Sequence, residues 1–187
     1  GAQGGKAAAR VLFGDVSPSG KLPVTFYESM EELPDFEDYA MKGRTYRYME
    51  KAAQYPFGYG LSYGDVQVVG AKAESRDDGI VVAAVIKNTG SVATDEVLQV
   101  YVKNLDSPDA VPNPSLAGFI RVALEPNEEI EAVLSIDPNA FTVVKEDGSR
   151  VAEGSRFAVY VGFSQPDSRS IELMGKEPVC LKLVLDQ

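Results

Sequence analysis

The chain contains no histidine and no tryptophan, and it has a single cysteine among 187 residues. Without histidine, a Ser-His-Asp triad, a Cys-His pair or a histidine-based zinc site cannot be assembled from its own residues. A lone cysteine excludes an internal disulfide, and within "EPVCLKLVL" Cys180 reads as a small buried or half-buried strand residue, not a reactive thiol. Clustered basic residues are also missing. With a net charge of −10 and no Lys/Arg concentration to release counterions, nucleic acid is not an expected partner. No apolar run approaches the length that crosses a bilayer, and no charged-then-apolar leader is visible, so no membrane partner is expected either. Carboxylate chemistry and Asp/Glu metal sites survive these exclusions, but no spacing supports them, so neither metal nor cofactor is expected. An initiator Met is lacking, and "GAQGGKAAARVLFGD" gives the expectation of a piece of a longer chain. With no disulfide to bound the redox compartment tightly, cytoplasm is the preferred location.

What is present divides near residue 63. A hydrophobic content of 44% suffices for a real core. Residues 1–60 carry 7 basic and 8 acidic side chains, a net −1, while the remainder carries 11 and 20, a net −9. Seven of the nine tyrosines lie at or before Tyr63, so charge and aromatic content change together. "GGKAAARVLFG" suits a short helix stopped at Gly14. "DVSPSGK" is turn chemistry, and "KLPVTF" resembles a short buried strand with Pro23 at its edge or start. The following stretch, "YESMEELPDFEDYAMKGRTYRYMEKAAQ", has no sustained period, which is expected only of a segment lying across another surface.

The remainder alternates with period two. "GIVVAAVIKNTG" sets Ile80, Val82, Ala84 and Ile86 against Val81, Ala83, Val85 and Lys87. "EVLQVYVKN", "EEIEAVLSI", "RFAVYVGF" and "VCLKLVL" repeat the pattern between the turn signals "DDG", "NTG", "EPNEE" and "EDGS". Adding "DVQVVGAKAE" and "SLAGFIRVAL" gives about seven strands, the pattern of an antiparallel sandwich in which each sheet packs one face and wets the other. In "YPFGYGLSY", four rings and two glycines occupy nine positions; the glycines suggest a bend or a close backbone approach, and the rings a packed seam.

Several blocks together resemble one family. "GGKAAARVLFGDVSPSGKLPVTF" resembles the end of the α/β sandwich domain of glycoside hydrolase family 3, the β-glucosidase and β-xylosidase family. "RTYRY" followed by "YPFGYGLSY" is similar to the segment leaving that domain. "NTGSVATDEVLQVYV", "LAGFIRVALEPNE" and "FAVYVGFS" resemble its fibronectin type III-like domain. The expected architecture is therefore mainly β: an immunoglobulin/fibronectin type III-like antiparallel sandwich over residues 63–187, preceded over 1–62 by an arm left from an α/β sandwich domain plus its linker. Ser17 stands where the family usually has Asn, Asn127 where Gly is common, and Gly64-Asp65-Val66 where Thr and a bulky aromatic often follow "LSY". All three departures sit at turns or boundaries.

The resemblance implies a retaining glycosidase in the full protein, with one carboxylate as nucleophile and one as acid and then base. In the family the nucleophilic Asp lies in a separate (β/α)8 barrel, and the acid/base Glu lies well before the block at which this chain starts. No catalytic residue is assigned here, and the acidic run Glu31, Glu32, Glu37 and Asp38 reads as a solvated loop. The isolated chain is expected to be inactive, with the barrel and α/β domains of the parent as partners and a β-glycoside bound only by the full protein. The arm, separated from its domain, is also a candidate surface for pairing with a second copy. Arg44, Tyr46, Arg47, Tyr48, Tyr55, Phe57 and Tyr59 are the candidate site residues, either walls of a sugar cleft or, as preferred, an interface strap between domains. The alternative function is a free-standing carbohydrate-binding or adhesion sandwich, for which Phe119 and Phe141 are the candidate surface platforms.

Overall fold

The structure, a computed structural model, describes residues 1–76 and 79–185. Asp77 and Asp78 of the "DDG" turn lie outside the described residues. In chain order the elements are α1 (Gly4–Leu12), α2 (Thr45–Tyr48), β1 (Val66–Arg76), β2 (Gly79–Asn88), β3 (Thr94–Asn104), β4 (Ser115–Leu124), β5 (Glu129–Ile136), β6 (Thr142–Val144), β7 (Arg150–Ala152), β8 (Arg156–Gly162), α3 (Ser168–Met174) and β9 (Val179–Val184). Single 3₁₀ turns sit at Met30–Glu32 and Pro138–Phe141.

The seven alternating segments form the two expected sheets, one ordered β1-β2-β5 and the other β4-β3-β8-β9, with β6 and β7 as a separate ribbon. All described strand pairs are antiparallel. Register follows the apolar pattern: Ile80, Val82 and Ala84 of β2 lie opposite Ile136, Leu134 and Ala132 of β5, so one row of both strands enters the core together. Leu98, Val100 and Val102 of β3, Val122 and Leu124 of β4, and Phe157, Val159 and Val161 of β8 meet them from the second sheet. Every buried member of this inter-sheet core lies between Val66 and Phe163.

Three local expectations are corrected. Phe141, read as a surface platform, is buried: the Pro138–Phe141 turn, capped by Asp137 accepting from the Asn139 amide, swings its ring edge-on against Phe157 at 5.2 Å. Cys180, read as buried or half-buried, is exposed, on the outer face of β9 opposite Tyr160. "KLPVTF" is not a buried strand. Val24 and Phe26 are exposed, and the segment pairs with residues 54–59 through a single bridge between Phe26 and Tyr55 and the backbone bonds of Leu22. Helix α3 carries end signals that lie outside the period-two pattern, and the β6–β7 ribbon forms at a turn already marked by its residues. In α3, the Asp167 side chain accepts from the Ser170 amide and Gly175 takes a left-handed φ of +64° as the stop. The β6–β7 ribbon closes over "EDGS", where Gly148 has φ +83°.

The loop after β3 is tied down electrostatically. Asp106 accepts from the backbone amides of Ser155 and Arg156 and pairs with the Arg156 guanidinium at 2.6 Å. These donors hold its carboxyl well below the usual range, at about 2. Because the folded value is depressed, the contribution is present above the ordinary carboxylate pKa and is lost as pH falls from about 4 toward about 2. Urea midpoints measured between pH 5 and 2 should fall less steeply for Asp106→Asn than for the unaltered chain, and the two curves should converge near the acid limit.

Candidate functional site

Alternation fails over its longest run in β3. Leu98 through Val102 of β3 are all buried, although period two assigns Gln99 and Tyr101 to solvent. The residues covering them come from the first third of the chain, in two passes: 17–26 and 46–63. The passes run beside each other, joined by Leu22 N–H to the Tyr59 carbonyl, Gly58 N–H to the Leu22 carbonyl and Phe26 N–H to the Tyr55 carbonyl.

The contact is polar at its centre and aromatic around it. The Gln99 side-chain amide donates to the Gly58 carbonyl at 3.0 Å and the Phe163 carbonyl at 2.9 Å, and its oxygen accepts from the Tyr101 hydroxyl at 2.7 Å. Burial pushes the Tyr101 phenol far up, beyond any titration in the working range. Tyr46 stacks on Phe57 at 4.2 Å and meets Tyr101 edge-on at 6.3 Å. The Tyr46 hydroxyl accepts from the Leu116 amide at 3.0 Å, and Asn113 donates to the carbonyls of Tyr46 and Met49. Across the outer face the neighbours Tyr101, Tyr160 and Cys180 run from buried through half-buried to exposed, so the arm covers the β3 side and leaves β9 bare.

Two glycines are required here for different reasons. Gly58 has φ +77°, and a Cβ on it would lie 2.3 Å from the Gln99 oxygen and 2.6 Å from the Tyr101 hydroxyl. A Cβ on Gly60 would lie 2.1 Å from the Gly20 carbonyl oxygen. Both mark close approach, in place of a free bend. Thr45 opens α2 at φ +54°, an uncommon conformation for a β-branched residue, followed directly by the well-anchored Tyr46.

Of the candidate residues, the structure brings Tyr46 and Phe57 together in the seam. Arg47 places its guanidinium carbon 5.8 Å from the Tyr46 ring centroid and donates to the Tyr46 hydroxyl at 3.3 Å. Arg44 turns away, donating to the carbonyls of Ala40, Asp35 and Asp38. Tyr55 and Tyr59 stack on each other at 5.7 Å at the outer margin, and Phe26 meets Tyr55 edge-on. Tyr48 is half-buried on the wall of a groove of about 710 Å³ that Tyr27, Met41, Tyr46, Arg47 and Leu116 also line. Among the described residues, no carboxylate lines that groove. Lys21, Glu96, Gln99 and Asn113 belong to the seam and were not among the candidates; an isolated polar residue in a strand gives no local signal of its distant partner.

Two sequence profiles match the chain: Glycosyl hydrolase family 3 C-terminal domain over residues 1–63, and Fibronectin type III-like domain over residues 96–165. A Xylan 1,4-beta-xylosidase of Xylanibacter ruminicola is 48% identical over 138 residues, which is 73% of this chain and 16% of that protein. The chain belongs to glycoside hydrolase family 3. A Periplasmic beta-glucosidase of Salmonella typhimurium is 35% identical over 87% of this chain and 23% of its own length. The crystal structure of a family 3 beta-glucosidase from Bifidobacterium adolescentis matches 96% of this chain and 28% of its own at a TM-score of 0.79 and 33% identity. The chain thus spans between 16% and 23% of the length of these two curated relatives.

Against the family pattern, the departures have local accounts. Asn127 takes φ +64°, a left-handed turn that Asn tolerates next best to Gly. Ser17 pairs its hydroxyl with that of Thr94 at 2.7 Å and accepts from the Tyr63 amide at 2.9 Å. Gly64 has no room for a side chain, since a Cβ would lie 2.3 Å from Thr94 Cγ2. Asp65 pairs with Lys176 at 2.8 Å, and hydrogen bonds from Lys176 and Thr89 hold its carboxyl below the usual range.

Proposed function

We propose that the chain is a non-catalytic, domain-orienting region of a retaining β-glycosidase acting on terminal β-glucosides or β-xylosides. The carrying observation is the seam: a buried, hydrogen-bonded and ring-stacked junction that leaves the arm little freedom against the sandwich. Retaining hydrolysis needs two carboxyl groups about 5 Å apart, so a misplaced domain costs rate directly. On this reading residues 1–62 complete an α/β sandwich domain of the parent and 63–187 fix that domain from behind. The arm's outer side fits a partner, because Leu12, Phe13, Met30 and Phe36 all lie largely in solvent. The seam carboxylates are committed to ion pairs, Glu96 with Lys21 and Asp65 with Lys176, which supports a role without chemistry of its own.

The test compares the isolated chain with the full parent protein on aryl β-glucosides and β-xylosides. The parent is expected to turn over and the isolated chain not to. Hydrolysis by the pure chain, abolished by substituting one of its carboxylates, would refute the reading. In the parent, Tyr46→Ala should lower kcat and thermal stability together. A raised KM with unchanged stability would instead make the aromatic segment a wall of the sugar site.

A further inference from the structure

Most of the Lys and Arg side chains sit in ion pairs. Among the described residues Arg47, Lys103 and Arg150 have none, and all three line one pocket of about 260 Å³ between α2, the β3–β4 loop and the β6–β7 ribbon. The carboxylate on that wall, Asp109, is already held by Lys145 at 2.6 Å. In a chain of net charge −10 this pocket therefore carries a local potential of the opposite sign.

Its polar groups are also incompletely used. The Lys103 ammonium donates to the carbonyls of Val111 and Pro112 and keeps one donor unspent. Tying down a loop through two carbonyls calls for donors but not for a full charge, and burial lowers the Lys103 pKa because no anion offsets it. Arg47 spends its Nε on the Tyr46 hydroxyl, and Arg150 spends one Nη on the Asn139 carbonyl and the Thr142 hydroxyl. The other guanidinium donors of both have no protein acceptor among the described residues. Tyr48 and Ser115, half-buried on the same wall, have hydroxyls without a protein partner there, and the Tyr48 ring stacks on no other ring. Arg47, Tyr48 and Leu116 line the 710 Å³ groove as well, so the cationic pocket opens onto a ring-lined one. Thr45, held at φ +54°, lies on that groove wall, and backbone outliers of this kind cluster at ligand clamps.

We propose that the pocket binds a carboxylate-bearing sugar ring, a uronic acid unit, with the carboxylate among Arg47, Lys103 and Arg150 and the ring toward Tyr48 and Ser115. Guanidinium forks match a planar carboxylate, and a sugar ring offers C–H faces to the tyrosine and hydroxyls to the unspent donors. The choice of a sugar as the body carrying the carboxylate rests on the glycosidase reading; the cationic pocket does not.

The experiment titrates the ¹⁵N-labelled full chain separately with D-glucuronate, D-glucose, acetate, inorganic phosphate and tri-glutamate. D-glucuronate should bind with a millimolar Kd, about tenfold or more tighter than any other probe, and should shift the amide resonances of Tyr48, Lys103 and Ser115. Added salt should weaken it. Arg47→Gln with Arg150→Gln should lower the affinity about tenfold or more while the strand resonances stay in place. Should that variant not fold, Arg150→Gln alone, a change at an exposed side chain, should lower it about threefold or more. Absence of glucuronate shifts at these residues, or a variant that binds unchanged, would overturn the proposal. Equal binding of glucose would remove the charge from the recognition, equal binding of acetate or phosphate would leave only a general anion site, and tighter binding of tri-glutamate would make the pocket a protein-docking site; each overturns it. Turnover of aryl β-glycosides by the parent tests the glycosidase reading separately: glucuronate binding without parental turnover sinks that reading and leaves the pocket, and the reverse sinks the pocket alone.

Discussion

Removal of residues 1–63 is expected to leave a chain that still forms both sheets, unfolds at a much lower urea concentration than the intact protein, and self-associates. The inter-sheet core is made wholly by residues after 63, so strand formation survives. The outer face of β3 does not. Tyr101, 1% exposed in the intact chain, would present its ring to water beside Gln99, which loses its bond to the Gly58 carbonyl. Burying a side chain of this size contributes roughly 1.5–3 kcal/mol, and each lost hydrogen bond about 1 kcal/mol. With the Lys21 and Tyr46 contacts also gone, a loss of about 3 kcal/mol or more is expected. The bared aromatic face then supplies a contact for a second copy. Urea titration followed by circular dichroism measures the first effect and sedimentation the second. A truncated chain that matches the intact one in midpoint and stays monomeric would contradict this account.

The second large effect is in the core. Phe157→Ala should destabilise the chain by about 3–5 kcal/mol, whereas Phe119→Ala should change it by no more than about 0.5 kcal/mol. Both are aromatic residues on strands of the same sheet. Phe157 is 1% exposed and sits edge-on to Phe141, so truncation removes transfer energy, leaves a cavity and breaks a ring pair. Phe119 is 66% exposed on the outer face of β4, so little is lost. Urea midpoints of the two variants, measured under one condition, check the contrast. Equal effects would mean that the sheet faces are assigned wrongly.

The contrast also shows what the sequence could convey. Strand positions and inward faces were legible because period two is local: Ile80, Val82, Ala84 and Ile86 declare themselves within seven residues, and the structure buries all four. Caps and turns are equally local, and the Asp167 cap and Gly175 stop of α3 were readable although the alternation drew attention elsewhere. Long-range coverage was not readable. Nothing near Gln99 or Tyr101 indicates that a segment some forty residues earlier will lie over them, and nothing near Lys21 names Glu96. The glycines of "YPFGYGLSY" illustrate the limit. Their presence signalled either a bend or a close approach, and only the positions of Gln99, Tyr101 and Gly20 decide for close approach. Cys180 and Phe141 failed for the same reason, since exposure on β9 depends on how far the arm reaches and burial of Phe141 on where one 3₁₀ turn docks.

Hydrogen exchange of the intact chain is the most direct test that arm and sandwich form one unit. Amides of Gln54, Tyr55, Gly58 and Tyr59, together with Leu22 and Phe26, should exchange at rates approaching those of β3 and β8, while α1, none of whose residues is buried, exchanges fast. If these amides exchange as quickly as α1 while the strands stay protected, the arm is a loose tether and the orienting role fails with it.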